Sequence, residues 1–193
     1  MTNSTRSNLI DAMRDALQRR GLHGVGLNEI LASANAPKGS LYYHFPGGKG
    51  ELAVAAIERA SEGIERFFDK VFARHDDPLA ALQEWLAAAA RQLEDTGFER
   101  GCPLATVALE TTVDDASIRA ALASSFTRIR SVLTDRLQAS GFEAQRAGRL
   151  AALIVSTYEG GLVQSRVAGT SQPLREASEA LIDMLRMYRG ERL

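Results

Sequence analysis

Cysteine is almost missing from this chain: Cys102 is the only one in 193 residues, which excludes an internal disulfide or a cysteine-rich zinc site and fits a reducing compartment. Between Gly101 and Pro103 it reads first as a small apolar filler and only second as a redox-sensing thiol. Histidine is scarce too. His23, His44 and His75 stand far apart, none lies on a Glu-x-x-His or His-Glu-x-x-His helix face, and no Gly-x-Ser-x-Gly elbow exists. The chain therefore presents no metal set and no catalytic set, and an enzyme is disfavoured. Neither glycine-rich stretch is a nucleotide loop. Residues 21–26 lack the dinucleotide spacing and a preceding strand, and Gly47-Gly48-Lys49-Gly50 lacks the Ser or Thr that follows a phosphate-loop lysine. No cofactor and no metal are expected.

Long apolar runs are lacking as well. No stretch approaches the roughly 20 apolar residues of a membrane span, and the polar opening Met1-Thr2-Asn3-Ser4-Thr5-Arg6 is no signal peptide. The expectation is a cytoplasmic protein with no membrane partner. Strand-like alternation is absent, and no period of 20 to 50 residues repeats, so the chain is not a solenoid. An overall charge excess is missing too: the formal net charge is -1, with 45% hydrophobic and 24% charged residues, ordinary for a globular protein. The distribution is less even. Residues 1–50 carry six cations (Arg6, Arg14, Arg19, Arg20, Lys38, Lys49) against three anions (Asp11, Asp15, Glu29), and the remainder carries seventeen against twenty-one.

Helical periodicity is what the chain has throughout. Apolar stripes run through Leu9, Met13, Ala16 and Leu17; through Leu52, Ala56, Ile57, Ala60, Ile64, Phe67, Phe68 and Val71; and through Leu79, Leu82, Leu86, Ala89 and Leu93. Others follow at Ile118 to Leu137, Leu150 to Leu162, and Leu174 to Tyr188. Turn residues separate them. The spacing predicts nine helices, at about 5–20, 27–33, 38–44, 48–74, 78–96, 103–111, 115–139, 143–168 and 173–189. The fold class is all-α, with an N-terminal three-helix domain over residues 1–48 and a helical bundle over 49–193.

Residues 26–49 carry the most specific chemistry. Leu27, Ile30, Leu31 and Ala34 put apolar groups on one face of a short helix, small residues at Ala34 and Ala36 allow a tight turn, and Pro37 suits the first turn of a second short helix. Leu41 points inward there. Lys38, Ser40, Tyr42, Tyr43 and His44 are left outside, a face at once polar, cationic and aromatic, and Gly39 has no side chain to hold the backbone away from a partner. Such a face suits double-stranded DNA: ammonium and phenol groups bind phosphates, and a hydroxyl or ring edge meets base edges. Gly47 and Gly48 break the chain before a long helix, whose N–H groups and Lys49 can hold another phosphate. The positive charge bias sits in the same region, as phosphate contact requires.

The segment from about Thr5 to Ile57 resembles the DNA-binding domain of the TetR family of bacterial regulators, most specifically in the string Lys38-Gly39-Ser40-Leu41-Tyr42-Tyr43-His44-Phe45. Ala36-Pro37-Lys38, Pro46-Gly47-Gly48-Lys49, Gly101-Cys102-Pro103-Leu104-Ala105 and Val107-Ala108-Leu109-Glu110 are similar to its LmrA/YxaF-type branch. The resemblance implies that Lys38, Gly39, Tyr42, Tyr43 and His44 touch DNA, that Ser40 reaches the major groove, that Lys49 lies on the DNA backbone, and that Leu41 and Phe45 are core. One position departs from the pattern. Gly26 stands where many relatives have a Ser or Thr that caps the helix and binds phosphate, so one contact is lost or supplied by Asn28.

The resemblance further implies a ligand-responsive repressor that binds a palindromic operator as a homodimer and is released by a small, largely apolar effector. Trp85, Leu86, Leu104, Val107, Phe126, Ile129, Tyr158 and Leu162 are candidates to line an effector cavity, with Thr106, Tyr158 and Glu110 as its polar contacts; each also reads as plain core. Glu110 ends an apolar run, so it either pairs with an arginine such as Arg128 or Arg166 or meets a cationic ligand. The last two helices carry surplus apolar surface. Leu150, Ile154, Ser156, Gly160, Val163, Leu181 and Leu185 either pack within one subunit or meet a second copy in a four-helix bundle. Two reading helices about one DNA turn apart, roughly 34 to 36 Å, would then recognise a palindrome. The alternative function is an all-helical module that binds a small molecule or a protein partner.

Overall fold

The computed structural model describes residues 2–189, with side chains from Ser4 onward. Among these residues there are nine helices and no strand: α1 (Thr2–Arg20), α2 (Leu27–Ser33), α3 (Lys38–His44), α4 (Gly48–Phe72), α5 (Pro78–Asp95), α6 (Pro103–Ala108), α7 (Ala116–Ala139), α8 (Ala144–Ala168) and α9 (Gln172–Arg189). The all-α expectation holds, and most boundaries agree to within a residue or two. The exceptions are the start of α1, at Thr2 rather than near 5, and the end of α6, at Ala108 rather than near 111. Local side-chain bonds compete with the helix there: the Thr112 amide and hydroxyl both donate to Asp115 Oδ2, at 2.8 and 3.1 Å.

Helix ends follow from backbone chemistry. Asp77 caps α5 by accepting from the Leu79 amide at 3.1 Å, with Pro78 in the first turn. Glu143 caps α8 by accepting from the amides of Gln145 and Arg146. At the end of α2, Asn35 takes a left-handed conformation (φ 49°). Its amide donates to the Ala32 carbonyl and that of Ala36 to Leu31, closing the helix in a Schellman turn.

The chain forms two compact units, residues 1–63 with 102–126 and residues 64–101 with 127–193. They cut across the 1–48/49–193 division suggested by the sequence, because α6 and the first half of α7 belong to the unit of α1, α2 and α3. In the first unit α1 packs on α2, α3 and α6. Its core contains Leu9, Met13, Leu17, Ile30, Leu41, Phe45, Leu52, Ile57, Leu104 and Val107, all at or near zero exposure.

In the second unit α8 packs on α9, and both pack on α5. Phe68 lies 4.8 Å from Trp85, whose ring stacks on Tyr158 at 4.3 Å. This packing corrects part of the expected dimer surface. Leu150, Ile154, Leu181 and Leu185 are buried within their own unit, since α8 and α9 turn those faces toward each other and toward α5. Ser156 and Val163 are exposed and Gly160 is half-buried. Leu153, Val167, Met187 and Tyr188 are exposed on the same two helices.

No described helix is long and apolar enough to cross a membrane, and the described residues contain no cluster of His, Cys, Asp and Glu that could hold a metal ion. Cys102 is buried and forms no disulfide.

Candidate nucleic-acid interface

The first unit presents α3 as a short helix with one face anchored and the other open. Leu41 and Phe45 are its anchors, at 0% and 1% exposure, whereas Tyr42 and Tyr43 are 60% and 73% exposed. Two large aromatic side chains thus stand adjacent and open on the same short helix. Lys38 and Gly39 are also exposed, and Ser40 and His44 are half-buried. No acidic group pairs with Lys38 among the described residues.

Local geometry shapes this face. The Ser40 hydroxyl donates to the Pro37 carbonyl at 2.6 Å, leaving its oxygen able to accept. The rings of Tyr43 and His44 meet edge to face at 4.8 Å. Beneath them, the Arg6 guanidinium lies 5.2 Å from the centroid of the Phe45 ring, so α1 grips the residue that ends α3. A Cβ on Gly39 would meet nothing within 4 Å, and no packing constraint within the protein calls for glycine there.

α2 begins at Gly26, whose backbone is extended (φ -82°, ψ 149°) and which offers no side-chain cap. Asn28 is exposed in the first turn of α2. Glu29 pairs with Arg20, and this hydrogen bond raises the pKa of the guanidinium; with Arg14 on Asp11 and Arg19 on Asp15, three of the six N-terminal cations form ion pairs within the protein.

At the start of α4, where the sequence suggests a phosphate anchor, two groups have partners within the protein. The Gly47 amide donates to Glu51 Oε2 at 2.8 Å, so an intrahelical carboxylate already occupies that donor. Lys49 turns inward: its ammonium donates to the carbonyls of Leu22 and Val25, both at 2.6 Å. Burial lowers the Lys49 pKa and Glu110 opposes that shift. Two of the three ammonium protons are thereby engaged by the protein itself.

Glu110 pairs with neither arginine suggested for it. Its Oε2 accepts from the amides of Leu22 and His23 at 2.5 and 3.0 Å, while Arg128 donates to Glu65 at 3.0 Å. Thr106, the other polar candidate beside it, donates its hydroxyl to the Cys102 carbonyl at 2.8 Å, as helical threonines commonly do. The ten candidate effector residues divide between the units. Leu104, Thr106, Val107, Glu110 and Phe126 lie in the first; Trp85, Leu86, Ile129, Tyr158 and Leu162 lie in the second. Within the second unit, a cavity of about 190 Å³ between α5 and α9 is lined by Leu86, Ala90, Ile182, Gln83 and Arg175. Within the first, Phe126 and the alanines at 116, 120 and 123 line an open concavity of about 540 Å³.

Sequence reasoning missed four contributors to this face. Asn35 carried a signal, since Asn is the residue after glycine most tolerant of a left-handed helix terminus. Glu51, four residues after Gly47, was also legible as a local cap. Arg6 on Phe45, and the seat of Glu110 at the end of α1, join residues too far apart in sequence for spacing to reveal.

Comparison with known proteins agrees with this geometry. Residues 9–56 match the family described as bacterial regulatory proteins, tetR family, and residues 78–180 match the C-terminal domain of LmrA/YxaF-like transcriptional regulators. The chain is 32% identical over 182 residues to the HTH-type transcriptional regulator LmrA of Bacillus subtilis (strain 168), covering 94% of this chain and 97% of the relative. It is 30% identical to the uncharacterized HTH-type regulator YxaF of the same organism, covering 94% and 95%. Among solved structures it is similar to the regulatory protein TetR from Rhodobacter sphaeroides, with a TM-score of 0.82, 28% identity and coverage of 92% and 96%. At 19% identity it also shares the fold of a cysteine mutant of the TetR family regulator CifR complexed with 26-base-pair double-strand operator DNA, with a TM-score of 0.77 and coverage of 92% and 94%.

Proposed function

Because the chain belongs to the LmrA/YxaF-like branch of the tetR family of bacterial regulatory proteins, it is a DNA-binding transcriptional regulator, and we propose that it works as a homodimeric repressor released from a palindromic operator by a small effector. The observation that carries this reading is α3 itself. An exposed, cationic and aromatic face is held rigid over the fully buried Leu41 and Phe45, the arrangement a helix needs to enter a major groove without losing its own packing.

In this reading Lys38 and Tyr43 bind phosphates, Ser40 and Tyr42 approach base edges, Gly39 admits close backbone contact, and His44 borders the groove. Asn28 supplies a contact from α2 in place of the hydroxyl that Gly26 lacks. Residues 1–48 act as the reading domain and residues 49–193 as the effector and dimerisation domain. A second copy packs on the exposed side of α8 and α9, around Leu153, Ser156, Gly160 and Val163, because these are the apolar and small positions that the subunit leaves accessible. The effector class is apolar, in keeping with the core residues Trp85, Leu86 and Leu162. The site of action is the cytoplasm, where operator DNA is found.

The test is selection of bound sequences from a random duplex pool, followed by a salt series on the recovered duplex. A two-fold symmetric site with half-sites about one helical turn apart, and binding that weakens steeply with salt, is the expected result. Failure of a well-folded sample to enrich any sequence would overturn the reading in favour of a ligand- or partner-binding module.

A further inference from the structure

α2 and α3 contain seven residues each, too few to be stable alone, and α2 starts at a glycine with no side-chain cap. Their orientation must be fixed from outside. Packing on α1 supplies part of that hold, and the loop 21–26, which joins α1 to α2, carries a second one.

Leu22 is held at both ends. Its amide donates to Glu110 Oε2 at 2.5 Å and its carbonyl accepts from Lys49 Nζ at 2.6 Å. His23 donates to the same carboxylate oxygen at 3.0 Å, and Val25 accepts from the same ammonium at 2.6 Å. Glu110 lies 88 residues from Leu22, just after α6, and Lys49 lies in the first turn of α4. Two side chains of opposite charge from two elements thus grip one short loop, the carboxylate by its donors and the ammonium by its acceptors. Charge-assisted bonds of this kind are roughly twice as strong as neutral ones.

The seat is shaped for the carboxylate. Gly21 is left-handed (φ +73°), and a Cβ on it would fall 1.9 Å from Glu110 Oε1. Glycine at 21 therefore serves two ends, since it closes α1 and leaves the space that the carboxylate fills. The side chains of Leu22 and Val25 are buried, so the loop cannot shift without disturbing the packing beneath it.

We propose that Glu110 and Lys49 are positioning residues for operator binding: together they fix the loop that sets the entry of α2, and through α2 the angle at which α3 meets DNA. The inference rests on the operator-binding reading above. It assigns Lys49 to the loop, whereas phosphate contact is left to groups such as Lys38. The two roles differ in salt dependence, because an ammonium that hydrogen-bonds the loop and sits on no phosphate displaces no counterion from DNA.

The experiment uses the full chain with Glu110→Gln, Glu110→Ala, Lys49→Met and the Glu110→Ala/Lys49→Met double variant. Amide exchange of Leu22 and His23 is followed by NMR without DNA, and affinity for the duplex recovered by selection is measured across a salt series. Glu110→Ala should speed exchange at both amides and weaken operator binding about tenfold with an unchanged log-log salt slope, while Lys38→Met should lower that slope by about one. Glu110→Gln, which keeps an acceptor oxygen, should lie between wild type and alanine. The double variant should lose less than the product of the single losses, since both act on one loop.

A Lys49→Met slope lowered by about one would overturn the proposal by making Lys49 a phosphate ligand. Unchanged exchange at Leu22 and His23 in folded Glu110→Ala protein would overturn it by removing the clamp. If no duplex is recovered, the operator reading fails on its own and positioning for operator binding falls with it, while the exchange measurement still decides whether the clamp exists.

Discussion

Gly161 on α8 lies against Leu174 on α9 with no room for a side chain: a Cβ at the glycine would fall 2.6 Å from Leu174 Cδ1 and 3.1 Å from Leu174 Cα. The Leu174 amide donates to the buried Ser165 hydroxyl at 3.1 Å, which fixes the start of α9 on α8 at the same level. The backbone of α9 cannot retreat without breaking that bond.

Gly161→Ala should therefore overpack this contact and lower stability by about 1–3 kcal/mol. Gly160, its neighbour, has nothing within 4 Å of a Cβ, so in an isolated subunit Gly160→Ala should add about 0.5–1 kcal/mol through helix propensity. Urea midpoints of the two variants, paired with sedimentation at low concentration, check both statements. A Gly160→Ala variant that dissociates more readily than wild type places Gly160 in the dimer contact; one that is more stable and equally dimeric removes it.

A different glycine limits the reading head. Gly26 has an extended backbone that any residue adopts, and a Cβ there would meet nothing within 4 Å. Gly26→Ser should fit without strain, cap α2 for a gain of a few tenths of a kcal/mol, and present a hydroxyl where the family resemblance implies a phosphate contact. Operator affinity should rise severalfold in a binding titration at fixed salt. A fall in affinity would show that the loop, and not a missing donor, governs this position.

The helices were legible because each carries its own local evidence. Leu41 read as an anchor from its place in the short helix and Phe45 from the family resemblance, and both are fully buried. Asp77-Pro78 reads as a helix start, and α5 begins there. The clamp was not legible. Glu110 stood out in the sequence as a carboxylate closing an apolar run, which identifies a group in need of a partner without naming it. Its partners are backbone amides 87 and 88 residues away, and backbone donors leave no trace in residue identity. The contacts of Lys49 were hidden for a related reason: a lysine at a helix start following a DNA-reading motif suggests a phosphate, and only tertiary packing brings two carbonyls within its reach. Leu150, Ile154, Leu181 and Leu185 misled because one apolar stripe serves an intramolecular and an intermolecular face equally well until the neighbouring helix is placed.

Asp77 links the start of α5 to the end of α9. Its Oδ1 accepts from the Leu79 amide at 3.1 Å and from Arg189 at 2.7 Å. Partial burial alone would raise the Asp77 pKa, but the hydrogen bonds from Arg189 and Leu79 and the charge of Arg189 outweigh it and hold the carboxyl below its ordinary value. A depressed folded-state pKa means that the carboxylate stabilises the fold fully above the unfolded value of about 3.9 and that this stabilisation is lost as pH falls through the lower folded value. Asp77→Ala should cost about 1 kcal/mol at neutral pH, and the gap between variant and wild type should narrow steadily below about pH 4. Urea denaturation at a series of pH values measures it; a gap that stays constant into acid would mean that the ionised carboxylate contributes nothing.

Gly39 gives the sharpest separation between what the fold needs and what DNA needs. It is the second residue of α3, with open space on its Cβ side, where glycine gives up backbone freedom that alanine would not. Nothing inside the protein offsets that cost, so Gly39→Ala should raise the thermal midpoint. On the reading proposed for α3, the open space is where DNA approaches the backbone, and a methyl there would push the helix outward and lengthen every contact made by Lys38, Ser40 and Tyr43. Operator affinity should then fall by about tenfold or more, as expected when 1.4 kcal/mol or more of contact is lost. The two measurements move in opposite directions, which no general damage to the fold can mimic. A variant with both higher stability and undiminished affinity would mean that DNA meets α3 along another line, through the Tyr42 and Tyr43 side.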